Sequence, residues 1–448
     1  MRAWLRHTAI NLRGSYWFLP ALLTLSALVL SILTWWIDMR IGSNWTDRIS
    51  FIRATKPEGA RSLLSTIAGS TIGVAGTVFS ITIAAVVYAS GSYGPRLLTN
   101  FMNDRGNQFT LGIFIATFVY SLMILRIIRL PDNTGLFGTP TGEFVPQISM
   151  LVALALSLMS VAVLVYFLHH VPHSIQINHV VADIGRNAIK AIEKRYPDPH
   201  DGADWIDRDV RIGEAVSSRK TGYIEVIDYD TLGRIAERQG ATVRLAVRAG
   251  DFVHPGVALL WVEGTIGEDI PGSLRSAFAV GTSRTQSQDI EFAIDELVEI
   301  GLRALSPGIN DPFTAITCMH WLSAVLTSLA DRDLDRDADG RQYGEDGVYC
   351  LADDFDHYVQ RSFGSLRASA AANDLAAKLF VDAMGSVMLM AHRHGRDEPC
   401  RMQVRRLIEQ AREALKGPAL YELEKRSVAL LDNERRPPFG STSGHDLA

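Results

Sequence analysis

Four long apolar runs crowd into the first 169 residues of a 448-residue chain, and they restrict the possible folds more than any other feature. A helix needs ~20 mainly apolar residues to cross the hydrocarbon core of a bilayer. Residues 16–37, 63–89, 109–128 and 146–169 each supply a run of that order. Trp17, Trp35, Trp36, Tyr120 and Tyr166 fall near the ends of runs, where an aromatic belt would place them. Arg126 and Arg129 close the third run, and their long stems can reach the interface. Arg2, Arg6 and Arg13 precede the first run as in a leader peptide. That run is longer than a leader core, and it ends in "TWWIDM" without a small-residue cleavage site, so it reads as a retained helix. The expectation is a four-helix transmembrane domain over 1–175 in contact with the lipid bilayer.

Composition sharpens the division. The first third is apolar, whereas the remainder is rich in Asp, Arg and Glu, with a net charge of only −5 for the whole chain. No basic excess points to nucleic acid. Cys318, Cys350 and Cys400 are odd in number and form no C-x-x-C pair, which disfavours a disulfide framework and suits a reducing compartment. Basic residues on the two sides of the membrane nearly balance, so the positive-inside rule does not decide orientation. The basic N-terminus and unpaired cysteines favour cytoplasmic ends and an inner-membrane location.

The second run, "STIAGSTIGVAGTVFSITIAAVVYASGSYGPR", is the most informative. Thr66, Ser70, Gly73, Thr77, Ser80 and Ala84 recur three or four apart, which puts them on one helix face. Such a face packs closely against another helix, with hydroxyls bonding across the seam, or it lines a pore or solute path. Past the fourth run, "HHVPHSIQINHV" gathers His169, His170, His173 and His179 without a cysteine or carboxylate. It reads as an interfacial polar band, and no metal site is expected. "DRDADGRQYGED" spaces Asp335, Asp337, Asp339 and Asp346 like a calcium loop, but the last position carries the shorter acid, and a solvated turn is the simpler reading.

Beyond a linker helix and connector at 176–220, the chain predicts a small β module at 221–265. Tyr223 to Ile227 is a β run. Asp230 and Gly240 bracket a helix, and Val243, Leu245 and Val247 alternate as a strand. The "VRAGDFVHPGVALL" stretch resembles barrel-sandwich hybrid domains of the biotinyl/lipoyl type and of membrane-fusion adaptors. No lysine stands in the matching turn, so a covalently attached cofactor is not expected, and the module would dock a partner or ligand. A helical domain follows at 273–431, and 432–448 has the composition of a disordered tail.

In the helical part, Ile290, Ala293, Ile294, Leu297, Ile300, Gly301 and Ala304 make an apolar stripe, and Gly301 suggests a close crossing. "RALSPGINDPFTAI" then turns a corner. Ser306, Pro307 and Gly308 end one helix, and Asp311 caps the next with Pro312 in its first turn. Arg284, Thr285, Asp289, Arg303, Asn310 and Asp311 are the candidate site, either as a ligand or ion site or as a buried network of hydrogen bonds and ion pairs that fixes two helices, within one chain or across a subunit interface.

"GTSRTQSQDIEFAIDELVEIGLRALSPGINDPFTAITCMHWL", together with "SITIAAVVYASGSYGPRLL", resembles a family of bacterial integral membrane proteins catalogued as a domain of unknown function. The resemblance covers nearly the whole chain. It implies the membrane part and its attached region, and it supplies no activity. The stretch around Asp331 and the segment from Gln342 to Val348 depart from the β hairpin usual there. No P-loop, dinucleotide fingerprint, H-E-x-x-H or G-x-S-x-G occurs, and an enzyme is not expected. Two functions follow. One is a homo-oligomeric ion or small-solute channel gated by its cytoplasmic domain. The other is a non-conducting sensor or scaffold that docks a protein partner.

Overall fold

The structure, a computed structural model, describes residues 16–41, 56–94, 104–128, 144–196, 213–264, 267, 269–286, 288–334, 347–351 and 354–432. Its elements fall into two compact units divided between Gln176 and Ile177. The calcium-like loop at 335–346 and the tail beyond 432 lie outside the described residues.

The first unit holds four helices: α1 (Phe18–Ile41), α2 (Pro57–Tyr93), α3 (Arg105–Ile127) and α4 (Gln147–Ile175). α3 packs against the other three, and its hydroxyls serve that central position. Thr117 Oγ1 meets Ser160 Oγ of α4 at 3.0 Å, and Gly112 lets Pro20 and Leu23 of α1 approach its backbone. α4 turns Leu154, Leu158, Val161, Val165 and Leu168 outward, the surface expected of a helix against lipid.

Tyr120 departs from the sequence expectation. It is fully buried, not part of an exposed aromatic belt, because its hydroxyl bonds Thr34 Oγ1 at 2.9 Å and the Ser149 carbonyl at 3.2 Å. Asp38 lies beside this pair. Its carboxylate accepts from the Ile148 and Ser149 backbone N–H groups and from the Ser149 hydroxyl, at 2.8, 2.9 and 2.7 Å. A buried acid at the end of an apolar run thus caps a different helix, whose first N–H groups would otherwise be orphaned.

The second unit begins with α5 (Ile177–Arg195). The strands follow: β1 (Glu214–Ser217), β2 (Gly222–Ile227), β3 (Thr242–Leu245), β4 (Phe252–Val253), β5 (Ala258–Glu263) and β6 (Phe278–Gly281), with α6 (Tyr229–Gln239) after β2 and α7 (Ile270–Arg275) before β6. One sheet runs β1-β5-β3-β7 and the other β4-β2-β6, where β7 is Val348–Tyr349, parallel to β3. Both sheets contribute to one core, including Ile224, Val243, Leu260 and Phe278. The β segment therefore reaches from Glu214 to Gly281, wider than 221–265. Asp228, not Asp230, caps α6 by accepting from Thr231 N–H at 3.1 Å, and Gly240 closes it in the left-handed region at φ 57°.

The helices of this unit are α8 (Ile290–Ala304), α9 (Pro312–Ala330), α10 (Phe355–Val359), a π turn at Gln360–Gly364, α11 (Ser365–Ala371), α12 (Asp374–Arg393), α13 (Glu398–Ala414) and α14 (Pro418–Asp432). The close crossing at Gly301 is present: an added Cβ would sit 3.0 Å from Leu366 Cδ2. Gly185 of α5 is tighter still, against the Trp321 ring of α9.

By length and composition, six helices among the described residues could cross a membrane, not the four expected. The additional two are α9 and α12. Cys318, Met319, Leu322 and Val325 of α9 and Phe380, Met384 and Val387 of α12 are fully buried within the second unit. A helix covered on most sides by neighbours carries apolar residues nearly all round, so composition alone does not separate it from a membrane span.

Candidate functional site

Two groups of residues stand out, one in each unit. On α2, Thr66, Ser70, Gly73, Thr77, Ser80 and Ala84 are all exposed, while Leu64, Ile67, Ala68, Ala75 and Val78 are buried toward α3 and α4. A Cβ added at Gly69, Gly73, Gly76 or Gly91 meets nothing within 4 Å. The hydroxyls turn back onto the preceding turn: Thr66 onto the Ser62 carbonyl at 2.8 Å, Ser70 onto Ile67 at 3.1 Å, Thr77 onto Gly73 at 3.2 Å and Ser80 onto Gly76 at 2.9 Å. Back-bonding satisfies the hydroxyl donor and leaves its lone pairs free.

In the second unit the charges converge at the N-terminal end of α8. Asp289 caps α8 by accepting from Phe292 N–H at 3.0 Å. Arg284 donates to both Asp289 oxygens, at 2.7 and 2.9 Å, and to Asp295 at 2.5 Å. Arg361 projects from the π turn and donates twice to Asp295, both at 2.8 Å. It also pairs with Glu291 at 2.8 Å, and Glu291 meets His357 Nε2 at the same distance. Burial pushes the Asp289 carboxyl above its ordinary pKa, against the pull of Arg284 and the Phe292 amide. Burial also works against charge on Arg284, but Asp289 and Asp295 outweigh it and raise that guanidinium. Arg284 has two carboxylate partners, whereas Asp289 has one guanidinium and the repulsion of Glu291 beside it.

The β segment is locked to this cluster. Gln288 exchanges both amide bonds with the Ile227 backbone, at 2.8 and 3.1 Å, and Thr285 donates to the Glu225 carbonyl at 3.3 Å. Gly250, in the left-handed region at φ 98°, lies so close to Asp289 that an added Cβ would be 2.3 Å from its Oδ2. Gly250→Ala should therefore cost about 2 kcal/mol or more, from backbone strain plus displacement of Asp289. Faster hydrogen exchange in β2 and α8 of the purified variant would report it, and unchanged exchange would contradict the contact.

The six candidate residues of this unit do not form one site. Arg284, Thr285 and Asp289 lie at the start of α8, whereas Arg303, Asn310 and Asp311 lie at or beyond its other end, about 22 Å away at 1.5 Å per residue. Asp311 accepts from Thr314 N–H and the Thr314 hydroxyl, at 3.2 and 2.6 Å, and so acts as a cap. Asn310 takes the left-handed conformation, with φ 49°, which asparagine tolerates through its short polar side chain. Sequence reasoning missed Glu291, Asp295, His357 and Arg361. The acids have the i, i+4 spacing of one helix face, but nothing local to Arg361 points to a partner 66 residues earlier.

Of the histidines in the last turns of α4, His170 has a carboxylate partner. Its Nε2 lies 2.7 Å from Asp104, which caps α3 through Gly106 N–H, and Tyr166 meets its other ring nitrogen at 3.2 Å. Among the described residues no group of three or more His, Cys, Asp or Glu is arranged to hold a metal ion.

No solved structure matches the chain. An uncharacterized protein of Mycobacterium bovis and one of Mycobacterium tuberculosis are each 33% identical to it over 347 residues, which cover 75% of this chain and 64% of each relative. The match thus spans less than two thirds of those relatives' length. A family model described as "Predicted membrane protein (DUF2254)" matches residues 13–385. With its apolar helices and attached β segment, the chain belongs to this family of membrane proteins.

Proposed function

We propose that the chain is a multi-pass inner-membrane protein whose copies associate through α2 to enclose an ion or small-solute path. In this reading α1 to α4 cross the bilayer, α9 and α12 belong to the core of a cytoplasmic unit, and that unit governs the path. The observation that carries the reading is the outward small, hydroxyl-bearing face of α2. A helix facing only lipid gains nothing from glycines there, each of which costs roughly 1 kcal/mol of helix propensity against alanine. An approaching backbone, or water that uses the hydroxyl lone pairs, would repay that cost. The four-span reading is supported by the acidic and basic cluster around α8 and α10, which suits water far better than hydrocarbon.

The test is reconstitution of the full chain into planar bilayers, with its oligomeric state measured in parallel by native mass spectrometry. The expected result is an oligomer that passes current. A monomer under all conditions removes the association. An oligomer silent to varied salts and small anions leaves a sealed seam and a non-conducting scaffold.

A further inference from the structure

We infer that the corner end of the helical bundle in the second unit is a lipid-contacting surface, in which Ile309, Phe313, Leu375 and Tyr421 enter the headgroup–acyl boundary. The inference rests on the reading that α4 crosses the membrane.

These four side chains are 48%, 70%, 42% and 67% exposed, and internal pairs show that they share one end of the bundle. α8 runs beside the 355–371 segment in the same direction: Glu291 meets His357, Asp295 meets Arg361 and Gly301 meets Leu366. The start of α12, just beyond Ala371, therefore lies level with the corner after Ala304. α14 runs with α12, because Lys378 pairs with Glu422 and Asp382 with Arg426, while Gly385 meets Leu430. Tyr421 thus joins Leu375 at that end. Val428, further along α14, is also exposed and lies away from that end.

The start of α5 lies at the same end. Its last residue, Arg195, donates to the Gln288 carbonyl at 3.0 Å, just before α8, so α5 and α8 run in opposite directions. Gly185 abuts Trp321, which places Phe313 level with Ile177. Only Gln176 separates α5 from α4, and two residues of chain reach at most about 7 Å. In the reading that α4 crosses the bilayer, this short connection puts the start of α5, and with it the corner end, within reach of the bilayer surface. A turn and helix starts tipped with Ile, Phe, Leu and Tyr have the amphipathic character of interfacial anchors, and such side chains clustered in water signal a covered surface.

The full chain, with C350S to remove the half-buried thiol and the buried Cys318 and Cys400 retained, is labelled singly with a nitrobenzoxadiazole fluorophore at I309C, Y421C, R393C or L158C. It is then reconstituted in phosphatidylcholine–phosphatidylglycerol vesicles. Labels at 309 and 421 should be quenched by shallow nitroxide lipids and protected from aqueous iodide. The label at 393, at the far end of α12, should show the reverse, and that at 158 should respond to deep nitroxides. Iodide quenching at 309 and 421 equal to that at 393, with 158 still lipid-quenched, overturns the inference alone. Loss of lipid quenching at 158 overturns the span itself. Protection from both quenchers that fades as protein is diluted into lipid would assign the surface to a second copy and also overturn the inference.

Discussion

Replacing Arg284 with alanine is expected to destabilise the second unit by roughly 3–5 kcal/mol, the range for removing one partner of a buried ion pair. The cost comes from what remains. Asp289 would keep only the Phe292 amide, while Asp295 would still hold Arg361 through two bonds. Asp289→Asn should cost much less, since asparagine also caps helices and Arg284 would retain Asp295. In the Arg284→Ala background, Asp289→Asn should restore part of the loss by removing the uncompensated charge. Such opposite responses define a coupling energy that a double-mutant cycle measures. Acidity provides a second readout. Burial already raises the Asp289 pKa, and loss of Arg284 raises it further. The folded variant then binds a proton that the unfolded chain, with a carboxyl near ~3.9, does not. Its stability should therefore rise as pH falls from neutrality toward that value. Hydrogen exchange of β2 and α8 across pH tests both statements, after correction for the intrinsic exchange rate. An Arg284→Ala variant as protected as the parent at neutral pH would show that the cluster is not a fastening.

How far this arrangement could be read from the sequence depends on the distance over which each interaction acts. The apolar runs predicted the helices of the first unit because bilayer thickness fixes a length that any local window detects. The corner was equally legible, since Pro307, Asp311 and Pro312 act on their own neighbours, and α9 starts at Pro312 with Asp311 as its cap. Tyr120 was misplaced because a tyrosine near a run end suits an aromatic belt until Thr34 and Ser149 arrive from other helices. Asp38 went unnoticed for the same reason, as its partners are more than a hundred residues away. The candidate cluster was half legible. Arg284 and Asp289 sit five residues apart, but the length of α8 separates them from Asn310 and Asp311. α9 and α12 show the limit of composition: a helix enclosed by protein and one enclosed by lipid carry similar residues. The apolar neighbours of Cys318 and Phe380 lie elsewhere in the chain.

Gly73→Leu is expected to reduce association of the full chain in a bilayer at least about tenfold, a change that corresponds to about 1.4 kcal/mol, and Gly76→Leu should behave alike. The sign of the effect separates the readings of α2. Within one copy the space over both glycines is open, so a leucine clashes with nothing in its own chain. If that face meets lipid, the substitution should favour the helix by up to roughly 1 kcal/mol and leave the oligomer unchanged. If two backbones approach there, four added carbon atoms hold them apart and the loss must appear in association. Ile72 and Phe79 are exposed on the same helix outside the hydroxyl face, and their replacement by leucine supplies the control. Thr77→Val keeps the volume of the seam and removes only the hydroxyl. It should leave association nearly intact and lower conductance if Thr77 faces water, whereas in a sealed, non-conducting seam it should weaken association by removing a hydroxyl that bonds across the seam. Single-molecule subunit counting in vesicles of graded lipid-to-protein ratio gives the association constant, and bilayer recordings of the same preparations give the current. Unaltered association in both glycine variants would remove α2 from the interface and, with it, the proposed path.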